Sequence, residues 1–162
     1  LHLCGQAVQR PGIDAELARD NTATGAEKAA GARASRPGQQ AKAEAWHLAI
    51  EDPSVPNETH SQLCGHFWQF NQDEVLRPYI DRWFAVMEDI AAQRNGWGQR
   101  SLAIRRNVGV LLFPRPFGDR ALVARIDEWM ASTDLTDSVR RMVSERRDDV
   151  ERALRCQEAA GD

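Results

Sequence analysis

Apolar side chains recur along this chain every three or four residues, the spacing of one face of an α-helix. The clearest stripe is Ile80, Trp83, Phe84, Met87 and Ile90, at offsets 0, 3, 4, 7 and 10. Ile104, Val108, Leu111 and Leu112 form a second stripe, and Leu122, Ile126, Trp129 and Met130 a third. The last holds Val139, Met142, Val143, Val150, Ala153 and Leu154, with Arg146 filling one slot by its aliphatic stem. Upstream, the spacing of Leu63, Phe67 and Phe70 predicts one buried helix face. Ala45, Trp46, Ala49 and Ile50 predict another, on a helix over 38–50. Ile13 to Arg19 reads as a short helix. The Ala-rich stretch from Ala26 to Ala34 reads as a helix with little to bury by itself.

The breaks between stripes agree with helices joined by short connections. Thr24-Gly25-Ala26-Glu27 has the spacing of a capping box. Arg36-Pro37 ends the Ala-rich helix, because proline pushes the preceding residue out of the α region. Asn57 is placed to cap the helix after the Pro53–Pro56 loop, and Asn71-Gln72-Asp73-Glu74 is a further start signal. Asn95-Gly96, Pro114 with Pro116, and Thr133-Asp134 separate the remaining helices. Strand alternation is absent throughout. The pattern predicts an all-α fold of about eight helices in antiparallel pairs, an α-solenoid-like (HEAT-like) array forming one domain over residues 1–162. Residues 1–12 are expected to be poorly ordered, since Leu1-His2-Leu3-Cys4 offers no cap.

Composition narrows the function more than the fold. Of 162 residues, 28% are charged and 42% hydrophobic, which suits a packed domain rather than a disordered chain. A net charge of −3 supplies no basic field for nucleic acid or an anionic membrane, so neither is expected as a partner. The longest apolar run, Val108 to Phe113, falls far short of the roughly 18 residues that cross a bilayer. Three well-separated cysteines, Cys4, Cys64 and Cys156, and no secretion leader lead us to expect the cytoplasm.

Candidate chemistry is sparse. His60 and Cys64 are four residues apart and share a helix face, but His66 lies about 200° round the helix from Cys64. That leaves too few donors for zinc, which takes three or four, and no H-E-x-x-H occurs. As a nucleophile pair, Cys64 and His60 lack an orienting third group, and Leu63 and Phe67 make the surroundings apolar. The expectation is a small buried cysteine with two partly exposed histidines. Glu88-Asp89, Asp127-Glu128 and Asp148-Asp149 read as solvated surface pairs. Of the doublets Arg105-Arg106, Arg140-Arg141 and Arg146-Arg147, the last is interleaved with Glu145, Asp148, Asp149 and Glu151. Gly96-Trp97-Gly98 lacks the further glycine and the strand of a phosphate loop. No catalytic, cofactor-binding or metal residue is assigned.

Four segments together carry a resemblance. They are Ile13-Asp14-Ala15-Glu16-Leu17-Ala18-Arg19-Asp20-Asn21-Thr22-Ala23-Thr24-Gly25; Arg36-Pro37 with Ala41-Lys42-Ala43-Glu44-Ala45-Trp46; Gly65-His66-Phe67-Trp68-Gln69 leading into Leu76-Arg77-Pro78-Tyr79-Ile80-Asp81-Arg82-Trp83-Phe84; and Leu112-Phe113-Pro114. In this order they resemble the C-terminal helical domain of bacterial zinc aminopeptidases of the aminopeptidase N type, a domain also named after the endoplasmic-reticulum aminopeptidases. The likeness runs from about Ile13 to Gln157. His66 and Trp83 depart from the family pattern.

The resemblance implies a curved helical array that closes over a catalytic domain and lines a peptide cavity. Its implied partners are the catalytic and N-terminal domains of the same enzyme, and peptide substrate through the assembled cavity. The family's H-E-x-x-H zinc motif and its Gly-Ala-Met-Glu-Asn amine-binding segment are absent, so no catalytic or zinc-binding role transfers to any position here. Zinc is expected only in the parent enzyme's catalytic domain, and this chain alone is expected to be inactive. Leu1 as first residue fits a piece of a longer reading frame. The competing expectation is a free-standing helical-repeat interaction module.

Overall fold

The computed structural model describes residues 12–19 and 22–161, and among these every regular element is helical. The α-helices are α1 (Ile13–Arg19), α2 (Ala23–Ala34), α3 (Gln39–Trp46), α4 (Asn57–Phe67), α5 (Asp73–Leu76), α6 (Pro78–Ala91), α7 (Leu102–Val110), α8 (Arg120–Ser132) and α9 (Asp137–Gly161). The single turn α5 runs through Arg77 into α6, so the described residues make eight helical rods. The expectation about order in residues 1–11 lies outside the described residues.

The helices alternate between two layers. In one, α2 lies against α4, α4 against α7, and α7 against α9. In the other, α3 meets α6 where the Trp46 and Tyr79 rings touch at 5.1 Å, and α6 meets α8 where Phe84 and Trp129 touch at 5.3 Å. Trp129 Nε1 also donates to Glu88 across that second contact, at 2.9 Å. The described residues are thus all-helical in eight rods, as the stripes predict.

The strongest stripe supplies the centre. Ile80, Trp83, Phe84, Met87 and Ile90 are all buried, and Trp83 is completely so. Its indole N–H donates to the Val108 carbonyl at 3.0 Å, so burial leaves no polar atom unpaired. The Ala-rich helix has little apolar area to bury, and what it buries is small. Ala29, Ala30, Gly31 and Ala34 are buried against α4, and a Cβ on Gly31 would stand 3.0 Å from His66 Nδ1. Small side chains here let two backbones approach closely.

Several boundaries differ from the sequence reading. The cap of α2 is Thr22, whose hydroxyl accepts from Gly25 N at 3.0 Å, rather than Thr24. Asn57 is the first residue of α4 and not its cap; its side-chain Oδ1 accepts from Ser101 Oγ at 3.3 Å. Helix α4 ends at Phe67 and the backbone extends at Trp68, so Phe70 leaves the stripe and is 73% exposed. Leu111 and Ala153 also face solvent, because α7 stops at Val110 and the α9 stripe has drifted off the core by its last turns. Asn95 and Gly96, both with positive φ, make the break after α6 as read.

Candidate functional site

The helix over α3 widens at its end. His47–Glu51 forms one π turn, in which Asp52 N donates to His47 O at 3.1 Å. A wider turn turns carbonyls away from the helix ladder, and they need other donors. His60 Nε2 donates to Ala49 O at 2.9 Å, and Arg100 donates to Ala49 O at 3.4 Å and to Ile50 O at 2.6 Å. The Arg100 guanidinium lies 4.3 Å from the Trp97 ring, which fixes its plane. His60 is therefore buried, 1% exposed, against the expectation of partial exposure. It is buried because it closes the π turn from the facing helix.

That role uses both ring nitrogens. Asn107 Nδ2 donates to His60 Nδ1 at 3.2 Å, which fixes the proton on Nε2. Burial pushes the imidazole pKa down, so the ring is neutral. Cys64 Sγ sits 3.6 Å from Nδ1, but complete burial drives its thiol pKa far up. The pair the sequence singled out is brought together, and its environment favours a neutral thiol over a nucleophile. His66 turns to the outside, its Nδ1 3.0 Å from Gln62 O. Among the described residues no three His, Cys, Asp or Glu side chains come together as metal donors.

Lys42 had no role in the sequence reading beyond family likeness, yet it is fully buried. Its Nζ donates to Ala34 O and to Phe67 O, both at 2.7 Å, and lies 5.3 Å from the Phe67 ring centre. Ala34 and Phe67 are the last residues of α2 and α4, so one ammonium sits at two helix C-termini. Burial nonetheless pushes its pKa down to about 8.

Of the carboxylate pairs, Asp127, Asp148 and Asp149 meet Arg146 and Arg147 of the arginine doublets. Arg147 holds Asp127 at 2.8 Å and also reaches Asp148 and Glu151. Its guanidinium hydrogen bond keeps the Asp127 carboxyl below the usual range. Asp89 accepts from Arg94 and Asn95 at the break after α6.

A concavity of about 520 Å³ is a groove at the far end of the array. The turn carrying Phe70 forms one wall, the segment around Arg115 and Pro116 another, and the last turns of α9 the third. Phe113 and Val150 make an apolar floor. Arg146 crosses it, with one amino group 3.1 Å from Asp149 and a buried Nε that has no partner. No spacing in the sequence announces this groove, since its walls come from three separate segments.

Known proteins supply the context for this geometry. The curated aminopeptidase N of Streptomyces lividans is 39% identical over 147 residues. That alignment covers 91% of this chain but 16% of the relative, so the chain spans about one sixth of the relative's length. A family model described as the ERAP1-like C-terminal domain matches residues 3–152. The chain belongs to the family of ERAP1-like C-terminal domains.

Proposed function

We propose that this chain is the C-terminal helical domain of a cytoplasmic, zinc-dependent aminopeptidase that removes N-terminal residues from peptides. Its part is to close over the catalytic domain and line the peptide cavity. The observation that carries this reading is the shape of the alignment: nearly all of this chain answers to a small share of an aminopeptidase N. The chemistry of the side chains agrees with a non-catalytic part. His60 spends both nitrogens on structure, Cys64 is held as a neutral thiol, and Asp127, Asp148 and Asp149 are paired with arginines. The described residues do not bring together the donors that a zinc ion takes. In this reading the metal and its activated water belong to the catalytic domain. This chain contributes a rigid wall, stiffened by tryptophans bonded to backbone carbonyls of distant segments.

The test is to sequence upstream of Leu1 and produce the whole reading frame with and without this domain. An upstream H-E-x-x-H and chelator-sensitive hydrolysis of amino-acid anilides are expected. Removal of the domain should change the enzyme's discrimination among peptides of different length. A reading frame with no zinc motif, or an unchanged length profile, would overturn the reading.

A further inference from the structure

The break after α6 is a turn whose two central residues can react with each other. Asn95 and Gly96 have φ of 52° and 81°, the mirror-image turn that Asn-Gly favours, and Trp97 N closes it by donating to Arg94 O at 2.9 Å. Both central residues are exposed. The space where a Cβ would stand on Gly96 is open to 4 Å, and among the described residues no acceptor takes the Gly96 N–H. One restraint acts on the Asn95 side chain. Its Nδ2 donates to Asp89 Oδ2 at 2.7 Å, while Asp89 Oδ1 accepts from Arg94 Nε at 2.9 Å.

We propose that Asn95 is a modification site at which the chain converts itself, and that Asp89 sets the pace by holding the Asn95 amide. The Gly96 nitrogen yields its proton to hydroxide and bonds to Asn95 Cγ. The Cγ–Nδ2 bond breaks, and the amide nitrogen takes a proton from water and leaves as ammonia. Water then opens the cyclic imide. Attack at the side-chain carbonyl gives an aspartate; attack at the main-chain carbonyl gives an isoaspartyl link, in which the backbone runs through the former side chain. In total one water is consumed and one ammonia released. While Asp89 holds Nδ2, the amide is tied to α6 and is not free to rotate onto the Gly96 nitrogen. Conversion therefore proceeds through the moments in which that hydrogen bond is open.

The product does not fit the turn. Asp89 lies in the last turn of α6, where the helix dipole already disfavours a carboxylate. A second carboxylate at position 95 replaces a hydrogen bond with a like-charge contact. The isoaspartyl link also lengthens the backbone between Arg94 and Trp97, against the bond that closes the turn. Trp97 is buried, and its ring lies 4.3 Å from the Arg100 guanidinium that holds Ala49 O and Ile50 O of the π turn. Conversion at an exposed turn thus loosens the π turn of a distant segment.

The test keeps the chain in warm, mildly alkaline water labelled with heavy oxygen, followed by digestion and mass spectrometry. Label should enter residue 95 as its amide is lost, in an aspartyl and an isoaspartyl product. It should not enter Asn71, which is also exposed with a φ of 63° but is followed by Gln72. Asp89→Ala should convert about tenfold faster, the worth of one hydrogen bond to a charged group. Asp89→Asn keeps an acceptor and should stay closer to the parent, which separates the hydrogen bond from a general loss of stability. The converted chain should lose hydrogen-exchange protection at His47–Glu51 and keep it at Val139, Val143 and Val150 of α9. An Asn95 that keeps its amide, label entering Asn71 as fast, or a rate indifferent to Asp89→Ala would each overturn the proposal. So would unchanged exchange at His47–Glu51 in the converted chain.

Discussion

Lys42 carries a pH dependence whose direction is fixed by its burial. In the unfolded chain a lysine titrates near 10.5, whereas here burial lowers it to about 8. Between these values the unfolded chain holds a proton that the folded chain has shed, so stability rises with pH. Buried Cys64 acts the other way above about pH 9, because its unfolded thiol ionises first. Comparing the parent with Lys42→Met cancels that second effect. The parent should gain on the variant in urea melts between about pH 7.5 and 9.5. A pH-independent difference would mean that the carbonyls of Ala34 and Phe67 hold the proton as firmly as water does. Trp83 gives a simpler contrast. Trp83→Phe keeps most of the ring but leaves the Val108 carbonyl unpaired, at about 1–3 kcal/mol. Trp83→Ala should cost about 3–5 kcal/mol. A loss below about 1 kcal/mol for Trp83→Ala in denaturant melts would show that the centre of the core lies elsewhere.

Helix ends are decided by single side chains, and they separate two readings of α2. Thr22→Ala removes the acceptor for Gly25 N and should cost about 1 kcal/mol, while Thr24→Ala, on the exposed side, should stay within about 0.5 kcal/mol. Asp119→Ala should cost about 1 kcal/mol by uncapping α8, where Leu122 N lies 2.7 Å from the carboxylate. Reversed magnitudes at the two threonines would restore the capping box at Thr24. The same residues show what a sequence conveys about elements. The stripe of α6 was legible because burial follows a fixed period, and every member of it is buried. Phe70 keeps the period of α4 but lies beyond an extended Trp68, and a period carries no information about where the backbone stops obeying it. The π turn was not legible either, since its carbonyls are satisfied by His60 and by Arg100, some fifty residues on. For the site, the pairing of His60 with Cys64 followed from helical spacing. The burial of Lys42 and the groove around Arg146 depend on segments that meet only in the fold.

At the scale of the molecule, the isolated chain is expected to hydrolyse no amino-acid anilide and to retain no stoichiometric zinc. A catalytic zinc takes three protein ligands and an open position, and the described histidines and cysteines are spread over separate roles. Turnover by rigorously purified chain, lost on adding a chelator, would contradict this. Hydrogen exchange should find α1 and α2 opening below the global free energy. The buried side of α2 is built from Ala29, Ala30, Gly31 and Ala34, which remove little apolar area from water. Uniform protection from α1 to α9 would contradict that expectation. The alternation of layers also bears on time rather than strength. Each helix leans chiefly on neighbours one or two rods away along the chain, so closing most contacts means closing only short loops. Chains wired this way condense in microseconds to milliseconds, and growth from any nucleus can run to either end. On the ribosome, each helix pair would find its platform already standing as it emerges.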